Sequence, residues 1–197
     1  HLYKLFGIHE TLQMLDGVFA FVLYDENTEE VYVARDLFGI RPLYTCFHTN
    51  NSGDKSISFA SQAKQFNYMP NKSDNYLVEQ HTPGCYSKFI LNRHGRFVSS
   101  MMNVKFTGIK VDIDPKLYNI DTATKLIRDK LTAAVKKRID NTDRPICCLL
   151  SGGLDSSLIA SLVKNYYDGD LHTWSIGLEG SEDLEKAQMV ADFLGTK

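Results

Sequence analysis

The sequence predicts an α/β protein built in two unlike parts, an antiparallel sheet first and the opening of a parallel-sheet domain second. Three observations carry this reading. Residues 1–106 hold three pairs of Val-, Phe- and Tyr-rich segments, each pair joined by a polar turn. From residue 121 onward the apolar residues recur at steps of three and four, the period of a helix. A stretch reading Ser-Gly-Gly-Leu-Asp-Ser-Ser then stands between a short apolar run and a further helical segment.

The elements follow in order. His1–Met14 suits a helix packed on the sheet. Val18–Asp25 and Glu30–Arg35 form a first hairpin across the polar turn Glu26–Glu29. Pro42–His48 and Ser56–Ala60 form a second across Thr49–Asp54, and Cys85–Leu91 and Arg96–Phe106 a third across Asn92–Gly95. Three successive hairpins imply one largely antiparallel sheet. Thr107–Ile120 is weakly patterned, carries Gly108 and Pro115, and reads as a linker.

The second part runs from 121 to 197. Asp121 or Thr122 is placed to cap a helix whose apolar face is Ala123, Leu126, Ile127, Leu131, Ala134 and Val135. Lys136, Lys137 and Arg138 close it, where positive charge suits the dipole. Ile146–Leu150 is apolar without alternation, which predicts a strand buried on both faces, with Cys147 and Cys148 on opposite sides. Leu158–Tyr167 is read as a helix and His172–Ile176 as a second strand. Glu182–Leu194 is read as a helix ended by Gly195.

Composition excludes several function classes. A length of 197 residues allows one ordinary domain or two small ones. Basic residues number 22 and acidic residues 24, a net charge of −2, so no bulk positive field exists to hold nucleic acid or an anionic membrane. Apolar runs such as Val18–Leu23 fall well short of the roughly 20 residues that a membrane-spanning helix needs. Cysteines 46, 85, 147 and 148 form no C-x-x-C pair and no zinc spacing with the six histidines; they read as buried, reduced thiols of a cytoplasmic protein. His1–Glu10 lacks the basic and then apolar pattern of a signal peptide. The chain opens on His rather than Met and stops where a third parallel strand is due, so it is expected to be an internal piece of something longer.

The candidate site is the Ser151–Ser157 stretch between the strand Ile146–Leu150 and the helix that follows. Two glycines permit a tight turn and close backbone approach to a ligand. Backbone N–H groups converge at a helix start, where an anion is favoured. Ser151, Ser156 and Ser157 add hydroxyl donors, and Asp155 makes sense as a ligand of a Mg²⁺ ion that bridges phosphate oxygens. The position beyond the carboxyl end of a strand is where open α/β sheets bind ligands. Neither G-x-x-x-x-G-K-[ST] nor G-x-G-x-x-G is present.

Ser151-Gly152-Gly153-Leu154-Asp155-Ser156-Ser157 resembles the pyrophosphate loop of the N-type ATP pyrophosphatases. Leu15–Asp25 and Ala34–Tyr44, with its Arg-Asp-x-x-Gly-x-x-Pro-Leu-Tyr pattern, resemble the class II glutamine amidotransferase domain. With Ala133–Arg138 and Leu149–Ser157 in the same order, the whole chain is similar to the glutamine-hydrolysing asparagine synthetases. The resemblance implies a fold: residues 1–106 as the C-terminal part of an antiparallel Ntn-type (αββα) glutaminase domain, and 121–197 as the start of a parallel-sheet ATP pyrophosphatase domain.

The resemblance also implies a chemistry. ATP activates aspartate as β-aspartyl-AMP, and ammonia released from glutamine displaces AMP. ATP and Mg²⁺ are the implied cofactors, with aspartate and glutamine or ammonia as further substrates and a homodimer as the implied assembly. Leu150 matches a strand-end position whose backbone contacts the nucleotide; Ser151, Gly152, Gly153, Asp155 and Ser156 match the pyrophosphate loop. Ile176 and Gly177 match the next strand end, which helps hold the adenine. Arg35, Asp36 and Arg41 are read as structural ion pairing. Gln62 stands where the family has a Ser-Glu-Ala-Lys pattern. No catalytic residue is assigned, because the glutaminase nucleophile is an N-terminal cysteine and none of the four here occupies that place. The second loop for ATP and aspartate, Ser-Gly-Glu-Gly, is expected beyond Lys197, so the isolated chain is expected to run no complete reaction. Two alternatives stay open: a β-lactam-synthetase-like ligase on the same two domains, and a non-catalytic nucleotide-binding remnant.

Overall fold

The computed structural model describes residues 1–53, 55–68, 75–108 and 119–197. It comprises two compact units, His1–Val111 and Asp112–Lys197. Of the expected linker 107–120, residues 109–118 lie outside the described residues.

In the first unit, α1 (Leu2–Met14) bends at Gly7, whose φ of 77° is open to glycine. The strands are β1 (Ala20–Asp25), β2 (Glu30–Arg35), β3 (Tyr44–Thr49), β4 (Lys55–Ala60), β5 (Asn75–Gln80), β6 (Cys85–Leu91) and β7 (Phe97–Lys105). All three expected hairpins form, but not in one sheet. The orders are β1-β2-β6-β7 and β4-β3-β5, antiparallel throughout. The unexpected strand β5 is the reason, because it pairs with β3 and completes a separate sheet. Its largely exposed side chains carry no alternation that would betray a strand.

β2 sits between two apolar layers, and its period of two serves both. Tyr32 and Ala34 pack with Ile8 and Leu12 of α1 and with Tyr86 and Phe106. Val33 packs the other way, with Leu43 and Phe89, and with Phe47, Ile57 and Phe59 around them.

The corner after β2 is built from charged side chains and main chain. Asp36 is 2% exposed. Its Oδ1 accepts from the N–H groups of Phe38 at 3.2 Å and Ile40 at 2.9 Å, and its Oδ2 from Phe19 at 3.2 Å and Arg41 at 3.1 Å. Burial pushes this carboxyl's pKa up, but those four donors outweigh it and leave it below the usual carboxylate value. The Arg35 guanidinium donates to the carbonyls of Arg41 at 2.8 Å, His81 at 2.8 Å and Gly39 at 2.6 Å. The structural role expected for this pair holds, but the expected ion pairing does not. Among the described residues Arg35 and Asp36 spend their charges on main-chain groups rather than on each other, because the tight turn leaves those groups buried and otherwise unpaired. Gly39 has a φ of 62°, and a Cβ there would lie 2.8 Å from Arg35 Cζ.

In the second unit, α2 (Ile120–Asp140) is capped by the Asn119 side chain, which accepts from the Thr122 N–H at 3.1 Å, instead of by Asp121 or Thr122. Of the expected apolar face only Val135 is buried. β8 (Cys147–Leu149), α3 (Leu154–Tyr166), β9 (His172–Trp174) and α4 (Glu182–Leu194) follow, and Gly195 closes α4 in the left-handed conformation as expected. β8 and β9 are parallel, with Cys147 opposite His172 and Leu149 opposite Trp174. The main chain of Lys197 reaches the other side of β9, accepting from Thr173 N–H at 2.8 Å and donating to Leu171 carbonyl at 2.9 Å.

The core of this unit is one-sided. Cys148 and Leu150 pack with Val135, Ala160, Val163, Leu171 and Ala187. Cys147 and Leu149 are exposed, so the strand is not buried on both faces and Cys147 is not the buried thiol expected. The cause is that the apolar side chains of α2, α3 and α4 supply this core from one face only. Among the described residues no helix is long and apolar enough to cross a membrane.

Two outcomes follow for the first unit. Asp36→Ala strands four buried donors and lowers stability by about 3 kcal/mol, read as a shifted denaturation midpoint. His81 is 5% exposed and its Nε2 has no partner among the described residues. Burial, with the Arg35 charge adding to it, holds its pKa below the usual histidine value. The unfolded chain therefore takes up this proton first, and stability drops as pH falls below about 6.5. His81→Gln flattens that slope in a pH series of denaturation curves.

Candidate functional site

α3 starts at Leu154, one turn earlier than the expected Leu158. Gly153 takes the N-cap position and Asp155 sits in the first turn, where a carboxylate suits the dipole. The loop between β8 and α3 shrinks accordingly to Leu150–Gly153. Leu150 is buried, and the chain leaves the core at Ser151.

A cleft of 620 Å³ opens at the carboxyl ends of β8 and β9, lined by Leu149, Leu150, Ser151, Ser156, Trp174, Ser175 and Ile176. Leu149 is 81%, Trp174 64% and Ile176 100% exposed, so one end of the cleft is bare apolar surface. The other end is polar. Ser151 Oγ lies 3.0 Å from Ser156 Oγ, and Ser156 Oγ accepts from the Ser151 N–H at 3.3 Å. The start of α3 adds N–H groups that no turn of helix satisfies. An apolar end beside a cluster of hydroxyl and N–H donors suits a ligand with a flat ring and an anionic tail.

The two glycines differ in role. Gly152 has a φ of 74°, and a Cβ would meet Ala187 N and Lys186 Cβ at 2.6 Å, so its missing side chain makes room for α4. At Gly153 a Cβ would meet only Ser151 Oγ, at 3.5 Å. Gly153 is the glycine that keeps the helix start open. Ser157, expected to add a donor, instead gives its hydroxyl to the Gly153 carbonyl at 2.7 Å.

Of the candidate residues, Leu150, Ser151, Ser156 and Ile176 come together as cleft lining. Gly153 and Asp155 stand at the helix start beside them, and Asp155 is exposed. Gly177 packs on α4, where a Cβ would lie 2.9 Å from Leu184 Cγ. Among the described residues no group of three His, Cys, Asp or Glu side chains is arranged to hold a metal. Leu149, Trp174 and Ser175 were not singled out by the sequence. Leu149 and Trp174 were within reach, since paired positions at parallel strand ends share a face.

Comparisons with known proteins agree with this division. A glutamine amidotransferase domain model matches residues 1–93, and an asparagine synthase model matches 126–197. An amidotransferase domain followed by a synthase domain is the class to which the two units point. Along its whole length the chain is similar to asparagine synthetases. It is 38% identical over its whole length to the glutamine-hydrolysing asparagine synthetases of Pongo abelii and Homo sapiens, and 36% identical to that of Gallus gallus. It spans 37% of the length of each of these relatives.

The glycine geometry gives a paired outcome. Gly152→Ala forces a left-handed alanine against α4 and costs at least about 2 kcal/mol. Gly153→Ala leaves the denaturation midpoint within about 0.5 kcal/mol of the parent. Equal effects in thermal and chemical denaturation would refute the assignment.

Proposed function

We propose that this chain serves glutamine-dependent asparagine formation, in which ATP, aspartate and glutamine give asparagine, glutamate, AMP and pyrophosphate through β-aspartyl-AMP. Residues 1–106 belong to the glutaminase domain, of Ntn type, and 121–197 to the ATP pyrophosphatase domain. The observation that carries the reading is the cleft, with bare Leu149, Trp174 and Ile176 at one end and Ser151, Ser156 and the α3 start at the other.

The nucleoside lies along Leu150, Ile176 and Gly177, and the pyrophosphate at Ser151, Gly152, Gly153 and Ser156. Asp155 is a single exposed carboxylate, which fits Mg²⁺ that arrives with phosphate oxygens and keeps most of its water. Held by Asp155, such an ion would supply charge neutralisation there. Ser151 turns its hydroxyl to a phosphate oxygen by giving up its bond with Ser156, and Ser156 by giving up the Gly153 carbonyl, to which it donates at 3.2 Å. Adenylation joins the unreactive carboxylate to AMP, a good leaving group that ammonia then displaces from the carboxyl carbon. No cysteine of this chain is assigned to glutamine hydrolysis. Burial raises the thiol pKa values of Cys46, Cys85 and Cys148, the reverse of what a nucleophile needs. The free thiols support a cytoplasmic location, and the resemblance to the asparagine synthetases implies a homodimer.

Trp174 is the chain's single tryptophan, so its fluorescence reports the cleft directly. Titration with Mg-ATP quenches it saturably. Asp155→Ala weakens binding about tenfold with Mg²⁺ present, about 1.4 kcal/mol, and leaves binding without Mg²⁺ unchanged. Equal Mg²⁺ dependence in both proteins would remove Asp155 from the site.

A further inference from the structure

The β8–β9 ladder ends in an unusual way. In a parallel pair, a residue that donates to one carbonyl accepts from the N–H two positions further along the partner strand. The Leu150 N–H donates to the Trp174 carbonyl at 2.8 Å. The next rung would run from the Ile176 N–H to the Leu150 carbonyl. That rung is missing. The Leu150 carbonyl accepts the Ser175 hydroxyl instead, at 2.6 Å. The Ile176 N–H has no protein acceptor among the described residues, and Ile176 lies fully exposed on the cleft wall.

We infer that Ser175 is a positioning residue for recognition of the ligand's ring: its hydroxyl takes the place of a main-chain donor, ends the ladder one rung early, and keeps the Ile176 N–H for an acceptor atom on a heteroaromatic base. The inference rests on the nucleotide reading above and assigns a device within it. A carbonyl at the edge of a core must be paired. A serine hydroxyl satisfies it from the side chain of the adjacent strand. The main-chain donor that ordinarily does this work is released into a cleft whose walls there, Trp174 and Ile176, are apolar. An N–H in apolar surroundings discriminates strongly between a ring that carries an acceptor and one that does not, because an unmet donor is costly there. The Ser151–Ser156 pair, which serves the phosphate end, shares no hydrogen bond with Ser175. Base affinity and phosphate affinity are therefore separable.

The test uses the full chain, with Trp174 fluorescence to follow binding of ATP and of inorganic pyrophosphate, each with Mg²⁺. Ser175→Ala lets the Ile176 N–H rejoin the ladder. It weakens ATP about fivefold, the size of one net hydrogen bond, and leaves pyrophosphate unchanged, while Ser175→Thr restores ATP. Amide hydrogen exchange at Ile176 supplies a readout that needs no ligand, fast in the parent chain and slowed in Ser175→Ala. Unchanged ATP binding in Ser175→Ala, equal losses for ATP and pyrophosphate, or unaltered exchange at Ile176 would each overturn the inference. A parent chain that binds neither ligand would overturn the nucleotide reading and this one with it.

Discussion

Where β2 ends, one carboxylate draws four main-chain N–H groups into a space that water does not reach, and the neighbouring guanidinium gathers three carbonyls. Main-chain bonds such as Gly39 N–H to the Asp36 carbonyl, at 3.0 Å, satisfy only part of this turn, and the rest is too buried for solvent to serve. Charge solves the problem because an ionised group makes the strongest hydrogen bonds available to a main chain. Phe19, the Gly39–Arg41 turn and His81 come from three segments of the unit, and all converge on these two side chains. The positions of both sheets relative to this corner depend on it, since β2 belongs to one sheet while Arg41 and His81 flank β3 and β5 of the other.

The same need appears in the second unit on a smaller scale. The Leu150 carbonyl sits where a strand leaves the core, and a side chain from the next strand end answers it. In both units the polar main chain at a strand end is satisfied by a side chain, and the chemistry gathers around that junction. The difference lies in burial. The first corner is closed on all sides, whereas the second opens on a cleft.

The sequence displayed much of this. The hairpins, the helices and the loop between strand and helix follow from turn residues and periodicity, and nearly every expected element exists. The failures have physical causes. β5 escaped notice because an exposed edge strand need not alternate. The two sheets were read as one because hairpin signals are local, while the choice of partner for the next strand is made by contacts far apart in sequence. Ile146–Leu150 was read as doubly buried because an apolar run says nothing about how many layers cover it. The ion pairing of Arg35 and Asp36 that the resemblance implies does not form, because buried main chain claims both charges, a demand invisible without the turn. The loop was legible by its residue types, but the division of labour between Gly152 and Gly153 was not. That division depends on a helix that begins some thirty residues later.

That helix touches both ends of the cleft. Gly152, at the polar end, presses its backbone on Lys186 and Ala187, and Gly177, beyond the apolar end, closes on Ser181 and Leu184. All four contacts fall on the first two turns of α4 and its cap, a body that does not stretch. The helix is thus a ruler laid along the cleft. It fixes the span from one end to the other, so two groups held at those ends can lie only one set distance apart.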